Sequence, residues 1–264
     1  MEERKNADRF TGFADVYEGA RPKMPEYPIK VICEYLEKKP GLVVDLGCGT
    51  GLSTVPWGAV AERVIGIEPS KDMFRVAMQK AGKSISFIKA YSTGTTLPDA
   101  CADVVICSQS FHWMEPVSTL KEVDRILKPG GIFATVDCDW PPKTKWQAEK
   151  AYMDLYNEVK QIEASDPAIK DSFVRYDKAK HLSNMEKSGY FRYCREVLFV
   201  NTEPCTAQRF INILLSQGSL QAILKVDPQR IAEDIKRHED TVRDIFGDEE
   251  FHIDFFYRMR VGIK

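Results

Sequence analysis

Val43-Val44-Asp45-Leu46-Gly47-Cys48-Gly49-Thr50-Gly51 runs an apolar strand straight into three alternate glycines, and a helix-like segment follows. Glycine lacks a Cβ and tolerates positive φ, so such a turn presses bare main-chain amides and carbonyls against whatever lies at the carboxyl end of the strand. The strand has no polar alternation apart from Asp45, which is the pattern of a strand covered on both faces.

Outward from that stretch, helix-like and strand-like segments alternate from residue 26 onward. The alternation predicts an α/β fold, a doubly wound, seven-stranded and mostly parallel sheet with an inserted helical cap. Tyr27 to Lys39 places Ile29, Ile32, Cys33 and Leu36 at helical spacing, and Pro40-Gly41 breaks the chain before the strand Leu42 to Leu46. After the glycine turn come a short helix to about Val60, a strand Arg63 to Glu68, a helix from its N-cap Ser70 to Ala81, and a strand Ile85 to Ala90. Pro56 either starts the first of these helices late or kinks it. The unit repeats as strand Asp103 to Ser108, helix Val117 to Leu127 and strand Ile132 to Cys138, with Lys128-Pro129-Gly130-Gly131 closing the helix. Trp140-Pro141-Pro142 then opens a strand-free, aromatic and charged stretch. Tyr193 to Val200 and His252 to Val261 return to sheet as an antiparallel edge hairpin, with helices near Ala207 to Leu215 and Pro228 to Phe246 between them. One domain is expected over 1–264: a lid segment at 1–25, a core at 26–139, the cap at 140–188, and the rest of the core at 189–264. The stripe Ile231, Ile235, Val242 and Ile245 serves either a dimer face or the chain's own sheet, so monomer and homodimer both remain open.

The bulk properties exclude several partners. A net charge of -2 spread over 37 basic and 39 acidic side chains leaves no basic stretch to neutralise a phosphate backbone, so no nucleic acid is expected. Apolar runs are strand-length, far below the roughly 18 residues of a membrane helix. The start Met1-Glu2-Glu3-Arg4-Lys5 lacks an apolar signal stretch, which points to the cytoplasm. Seven cysteines, an odd number without a Cys-x-x-Cys pair, argue against disulfides and zinc. His181, His238 and His252 lie far apart with no carboxylate at ligand spacing, so no metal is expected.

A second signal follows the turn. Glu68 ends the second strand, where a carboxylate can accept hydrogen bonds from both ribose hydroxyls of an adenosine. A glycine turn plus an acidic strand end describes any adenosine cofactor, a nicotinamide dinucleotide included. The dinucleotide fingerprint wants Gly-x-Gly-x-x-Gly, and Leu52 stands where the third glycine belongs. Asp45 would repel a pyrophosphate, yet suits a ligand with an α-ammonium group and a cationic sulfonium.

These residues resemble a known family. Asp45-Leu46-Gly47-Cys48-Gly49-Thr50-Gly51 looks like the first motif of class I S-adenosylmethionine-dependent methyltransferases. Ile65-Gly66-Ile67-Glu68-Pro69-Ser70 with Met73 is similar to the second, Leu97-Pro98 before Ala102-Asp103-Val104-Val105 to the approach to the fourth strand, and Leu127-Lys128-Pro129-Gly130-Gly131 to the turn before the fifth. Phe13, Tyr17, Arg21-Pro22, Tyr27-Pro28 and Ser110-Phe111-His112-Trp113 resemble the trans-aconitate methyltransferase-like subgroup, which acts on small carboxylic acids. The resemblance implies S-adenosyl-L-methionine as cofactor and a small-molecule acceptor. It implies that Asp45, Gly47 and Gly49 surround the methionine end, with Cys48 and Gly51 among the cofactor-binding residues of the same turn, that Glu68 holds the ribose, and that Pro69 and Met73 flank the adenine. Ser108 and Gln109 would line the cofactor. Family members commonly place an acid before the Leu-Pro pair for the adenine amine; here Ser92 or Thr93 must serve.

A carboxylate acceptor needs no deprotonation. For a hydroxyl or amine, His112 is the candidate base, with Trp113 beside it; both residues could equally pack the loop after the fourth strand. Tyr17 and Arg21 are expected to fold over the cofactor, Arg21 forking onto an acceptor carboxylate. Trp140, Trp146, Tyr152, Tyr156 and Tyr176 could wall the acceptor pocket, with one or two expected to reach it. Cys48 has no recognisable activating base and reads as a small filler in the turn. The alternative readings are an NAD(P)-dependent oxidoreductase and a non-catalytic S-adenosylmethionine-binding regulatory protein.

Overall fold

The computed structural model describes residues 5–7 and 12–264; the rest of the expected lid lies outside the described residues. Seven strands form one sheet in the order β3-β2-β1-β4-β5-β7-β6. β1 (Leu42–Leu46), β2 (Arg63–Ile67), β3 (Ile85–Ile88), β4 (Ala102–Ser108) and β5 (Leu127–Cys138) run parallel, while β7 (Phe251–Ile263) is antiparallel to both β5 and the edge strand β6 (Tyr193–Cys205). The order reverses between β1 and β4, so their carboxyl ends open a crevice there.

Strand side chains alternate between two cores. Val43, Val104, Ile106, Ile132 and Ala134 enter one, and Leu42, Val44, Leu46, Val105, Cys107 and Phe133 enter the other. Both faces are therefore apolar, at roughly 1.5–3 kcal/mol for each fully buried aliphatic side chain. The first core is covered by helices α1 (Ala14–Ala20) and α2 (Glu26–Leu36) together with the cap, and the second by α4 (Pro116–Ile126) and α7 (His181–Ser188). Helix α4 starts where Pro116 takes the first helical turn and the Glu115 carboxylate accepts from Val117 N at 3.1 Å and Ser118 N at 2.7 Å.

Several boundaries differ from the sequence reading. The helix expected up to Val60 is a single 3₁₀ turn over Val55–Ala59, because Pro56 starts it late. α3 (Lys71–Met78) stops short of Ala81 and continues as turns bonding three residues back, Lys80 N to Ala77 O and Ala81 N to Met78 O. β6 and β7 reach Cys205 and Phe251, past the end of β5, because their mutual pairing continues where the apolar pattern is broken by Asn201, Glu203 and Pro204. α5 (Trp146–Ser165) and α6 (Pro167–Lys170) pack with α8 (Ala207–Leu215), α9 (Gly218–Val226) and α10 (Ala232–Phe246), so the helical cap draws on two separated segments. Met185 of α7 joins the sheet-facing core, so the segment up to residue 188 is not one cap. On α10 and the turn before it, Ile231 and Val242 are fully buried in the chain's own core, with Ile235 and Ile245 packed against it. That stripe is not a free dimer face.

Candidate active site

At the end of β1 the chain turns through Gly47, Gly49 and Gly51 at φ +65°, +57° and +88°. A Cβ on Gly47 would lie 2.7 Å from Ser110 Cβ, whereas one on Gly49 would meet nothing within 4 Å. Gly47 is thus bare for packing. Gly49 opens onto an inner cavity lined by Gly47, Cys48, Gly49, Leu52, Ser53, Glu68, Pro69, Met73, Tyr91, Ser92, Ser108 and Gln109, and closed by Asn6, Tyr17, Arg21, Trp113, Met114 and Trp140.

Glu68 sits on this wall just beyond β2, buried, with Oε2 accepting from Gly49 N at 2.9 Å and Oε1 from Ser70 N at 2.7 Å. Burial pushes its carboxyl up to about 7, against the pull of those two amide bonds. Asp45 lies beneath the turn and off the cavity wall, where Oδ2 accepts from Ser53 Oγ at 2.6 Å and Thr54 Oγ1 at 2.7 Å while Oδ1 is buried without a partner. Burial raises it to about 6, with the two hydroxyls offsetting part of the effect. Two buried acids beside an open main-chain turn suit a cationic ligand carrying vicinal hydroxyls.

The other expected cofactor residues divide. Cys48, Pro69, Met73, Ser92, Ser108 and Gln109 reach the cavity; Gly51 and Thr93 do not. Gly51 instead faces Phe87, whose Cζ would be 3.1 Å from an added Cβ. Ser92 Oγ is already engaged with Thr119 Oγ1 at 3.1 Å, and Tyr91 shares its stretch of wall. Asn6, Leu52, Ser53, Tyr91, Ser110 and Met114 were not anticipated on this wall, and Trp140, expected at the acceptor pocket, lines this cavity as well. Ser53 and Thr54 next to the turn were the legible signal for Asp45's partners; Asn6, which bonds Trp113 O at 2.7 Å and Val174 O at 2.8 Å, had none.

A second, outer cavity of about 630 Å³ adjoins the first, and Tyr17, Arg21, Gln109, Trp113 and Trp140 line both. Its walls carry Arg21, Lys160, Arg175 and Lys178 against Asp139 and Asp177, with His112, Tyr156 and Tyr176. Three of the five candidate aromatics, Trp140, Tyr156 and Tyr176, reach it; Tyr152 is core, and Trp146 is 68% exposed on a separate depression. The Arg21 guanidinium lies over the rings of Trp140 and Tyr17, 4.8 and 5.1 Å from their centroids. It donates to Ser216 Oγ at 2.8 Å and Ser216 O at 3.0 Å.

His112 is buried, with Nδ1 3.8 Å from Asp137 Oδ1. Burial, with help from the Lys178 charge, holds its imidazole well below the usual range, so it is neutral at pH 7. Asp137, missed from the sequence, is a hub: Arg260 Nη1 lies at 2.9 Å, Lys178 Nζ at 3.1 Å and His181 Nδ1 at 3.1 Å. Burial alone would raise its carboxyl, but Lys178 and His181 outweigh it and the group lies well below the carboxylate range. His181 thus has the carboxylate partner that the sequence spacing did not reveal. Among the described residues no three His, Cys, Asp or Glu side chains come together as metal ligands, and no helix is long and apolar enough to cross a membrane.

Comparison with known proteins points the same way as the geometry. Residues 44–135 match the family model described as a methyltransferase domain. The chain is 31% identical, over 42% of its length and 41% of the relative's, to a Saccharomyces cerevisiae protein named probable S-adenosylmethionine-dependent methyltransferase CRG1. It is 32% identical, over 48% of its length and 49% of the relative's, to an uncharacterized methyltransferase-like protein of Schizosaccharomyces pombe. The chain spans about half the length of these relatives. Among solved structures, one from Anaeromyxobacter dehalogenans, provisionally described as a type II methyltransferase, superposes with a TM-score of 0.69 at 19% identity, covering 92% of this chain and 97% of the other. That likeness concerns the fold. Residues 44–135 thus carry a methyltransferase domain.

Proposed function

We propose that the chain binds S-adenosyl-L-methionine in the inner cavity and methylates a small carboxylate held in the outer one. The observation that carries the first half is Glu68: its carboxylate is fixed by Gly49 N and Ser70 N on the cavity wall beside the glycine turn. Held so, it keeps lone pairs for two ribose hydroxyls. The residues fit the cofactor in two further respects. Gly49 leaves its Cβ direction open, and Asp45 Oδ1 is a buried acceptor without a partner behind the turn. A nicotinamide dinucleotide fits less well, because Leu52 occupies the wall where the third glycine would admit a pyrophosphate, and Asp45 would repel it.

When bound, the cofactor supplies a methyl group on a positively charged sulfur, so the protein's task is alignment and exclusion of water. Tyr17, Arg21, Trp113 and Trp140 close the junction of the cavities and perform both. Of the outer cavity's four cationic side chains, Lys160 and Arg175 pair with Glu163 and Lys178 with Asp137; Arg21, which pairs with no carboxylate among the described residues, is the charge that supports an anionic acceptor. A carboxylate needs no base. His112 is then part of the acceptor wall, neutral and held toward Asp137, in place of the deprotonating role that a hydroxyl or amine would require.

Incubation with methyl-tritiated S-adenosylmethionine and panels of small carboxylates, phenols and amines tests the reading. Methyl esters should form, and His112→Ala should keep turnover within about tenfold, since general-base catalysis typically contributes 10²–10⁴-fold. Products confined to amines or phenols, or a loss beyond a hundredfold in His112→Ala, would contradict it.

A further inference from the structure

Gln109 follows the last residue of β4 and has φ +54°, a left-handed conformation that a side chain with a Cβ adopts at a penalty. Its main chain is pinned there, with Gln109 N donating to Val136 O at 2.9 Å. The side chain is pinned as well, because Oε1 accepts from Lys178 Nζ at 2.9 Å, and Lys178 in turn lies 3.1 Å from Asp137 Oδ1. An ammonium cannot accept, so this contact fixes which end of the amide faces Lys178. The other end, Nε2, is buried and has no hydrogen-bond partner. Gln109 lines both cavities, at their junction.

A strained backbone, a locked amide and an orphaned donor at one residue are together unusual, since buried donors are nearly always paired. Their common explanation is a partner that arrives with a ligand. Resting on the reading of the two cavities given above, we propose that Gln109 Nε2 donates to the acceptor's carboxylate at the point where the cavities meet. Gln109 is thereby a specificity residue for an oxygen acceptor, not a holder of the cofactor. An alkylammonium, the form an aliphatic amine takes near pH 7, would bring donor against donor there, whereas a carboxylate oxygen completes the amide. Lys178 makes the device part of the cap: it orients the amide from the segment that walls the outer cavity. Trp113 and Trp140, which also line both cavities, leave an apolar approach to the same point.

The test is calorimetry on the full chain saturated with S-adenosylhomocysteine. Hexanoate, benzoate and trans-cinnamate are titrated alongside the matching amines, hexylamine, benzylamine and cinnamylamine. At least one carboxylate should bind tenfold or more tightly than its amine. Gln109→Gly accommodates the positive φ, so its melting temperature should equal or exceed that of the native chain. It should keep S-adenosylhomocysteine affinity within about twofold and weaken carboxylate binding by about tenfold or more, the scale of a lost hydrogen bond to a charged group. The isosteric Gln109→Glu, which places a second carboxylate at the junction, should weaken it further. A merely structural Gln109 would leave carboxylate binding unmoved in the glycine variant, and that result overturns the proposal. So does a preference for the amines, an absence of carboxylate binding, or a loss of S-adenosylhomocysteine affinity with carboxylate binding intact. Failure of the native chain to take up S-adenosylhomocysteine at all would instead remove the reading of the inner cavity, and the proposal with it.

Discussion

Gly47 and Gly49 stand two residues apart in one turn, both at positive φ, and only their surroundings separate them. An alanine at either position carries about 1–2 kcal/mol of left-handed strain. At Gly47 the new methyl also collides with Ser110 and Met114, at Gly49 with nothing. Gly47→Ala should therefore lower the melting temperature clearly more than Gly49→Ala, while Gly49→Ala should lose more S-adenosylhomocysteine affinity per degree lost. Equal effects on both readouts would contradict the division. The sequence makes the turn legible, because glycine spacing reports backbone conformation, and it makes Glu68 legible, because strand ends are fixed by pattern. It does not reveal Gln109's orphaned amide or the charge around Asp137. Those properties are set by Lys178, His181 and Arg260, distant residues that only the fold brings near.

At the scale of elements, Arg21, placed just after α1, adds a polar tie between that helix and the end of α8. Arg21 is stacked between Tyr17 and Trp140 and forked onto Ser216, which follows α8. A lysine keeps the charge and loses the planar stack and the fork. Arg21→Lys should reduce stability to urea by ~1–2 kcal/mol, the sum of a cation–π contact and a hydrogen bond, and should weaken acceptor binding. Unchanged urea midpoint and acceptor affinity would remove Arg21 from both roles. Strand and helix identity was readable here from periodicity, since the parallel strands carry short apolar runs between breakers, although β5 starts at Leu127 and takes in the Lys128-Pro129-Gly130-Gly131 stretch read as a turn. What periodicity does not carry is where helices pack. The residues 146–165 and 207–246 share one core, although β6 separates them in the chain.

For the molecule as a whole, Asp137 ties β5 and β7 to α7 and the cap in one buried network. Asp137→Asn leaves Arg260, only 5% exposed, with Glu196 as its remaining carboxylate partner, and should cost about 1–3 kcal/mol, the scale of lost hydrogen bonds to a charged group, or roughly 5 °C in melting temperature for a chain of this size. Because Asp137's folded carboxyl lies below its unfolded value, its contribution is complete above the ordinary carboxylate range. It disappears only as pH falls through the depressed folded value, so the deficit should be constant from pH 5 to 8. Asp45 and Glu68 work in the opposite sense. Their folded values, about 6 and about 7, exceed the ordinary ones, so the folded chain keeps protons that the unfolded chain releases. Their ionisation erodes stability as pH rises from about 4 to about 7. A cationic nucleoside that needs both carboxylates ionised recovers that loss on binding. The most direct measurement is calorimetric titration of S-adenosylmethionine at pH 5.5 and pH 8 into the native chain and Glu68→Gln. The native affinity should be at least tenfold higher at pH 8, and Glu68→Gln should bind weakly at both pH values with much of that dependence gone. Native affinity indifferent to pH, or a Glu68→Gln chain that binds as the native one does, would contradict the account.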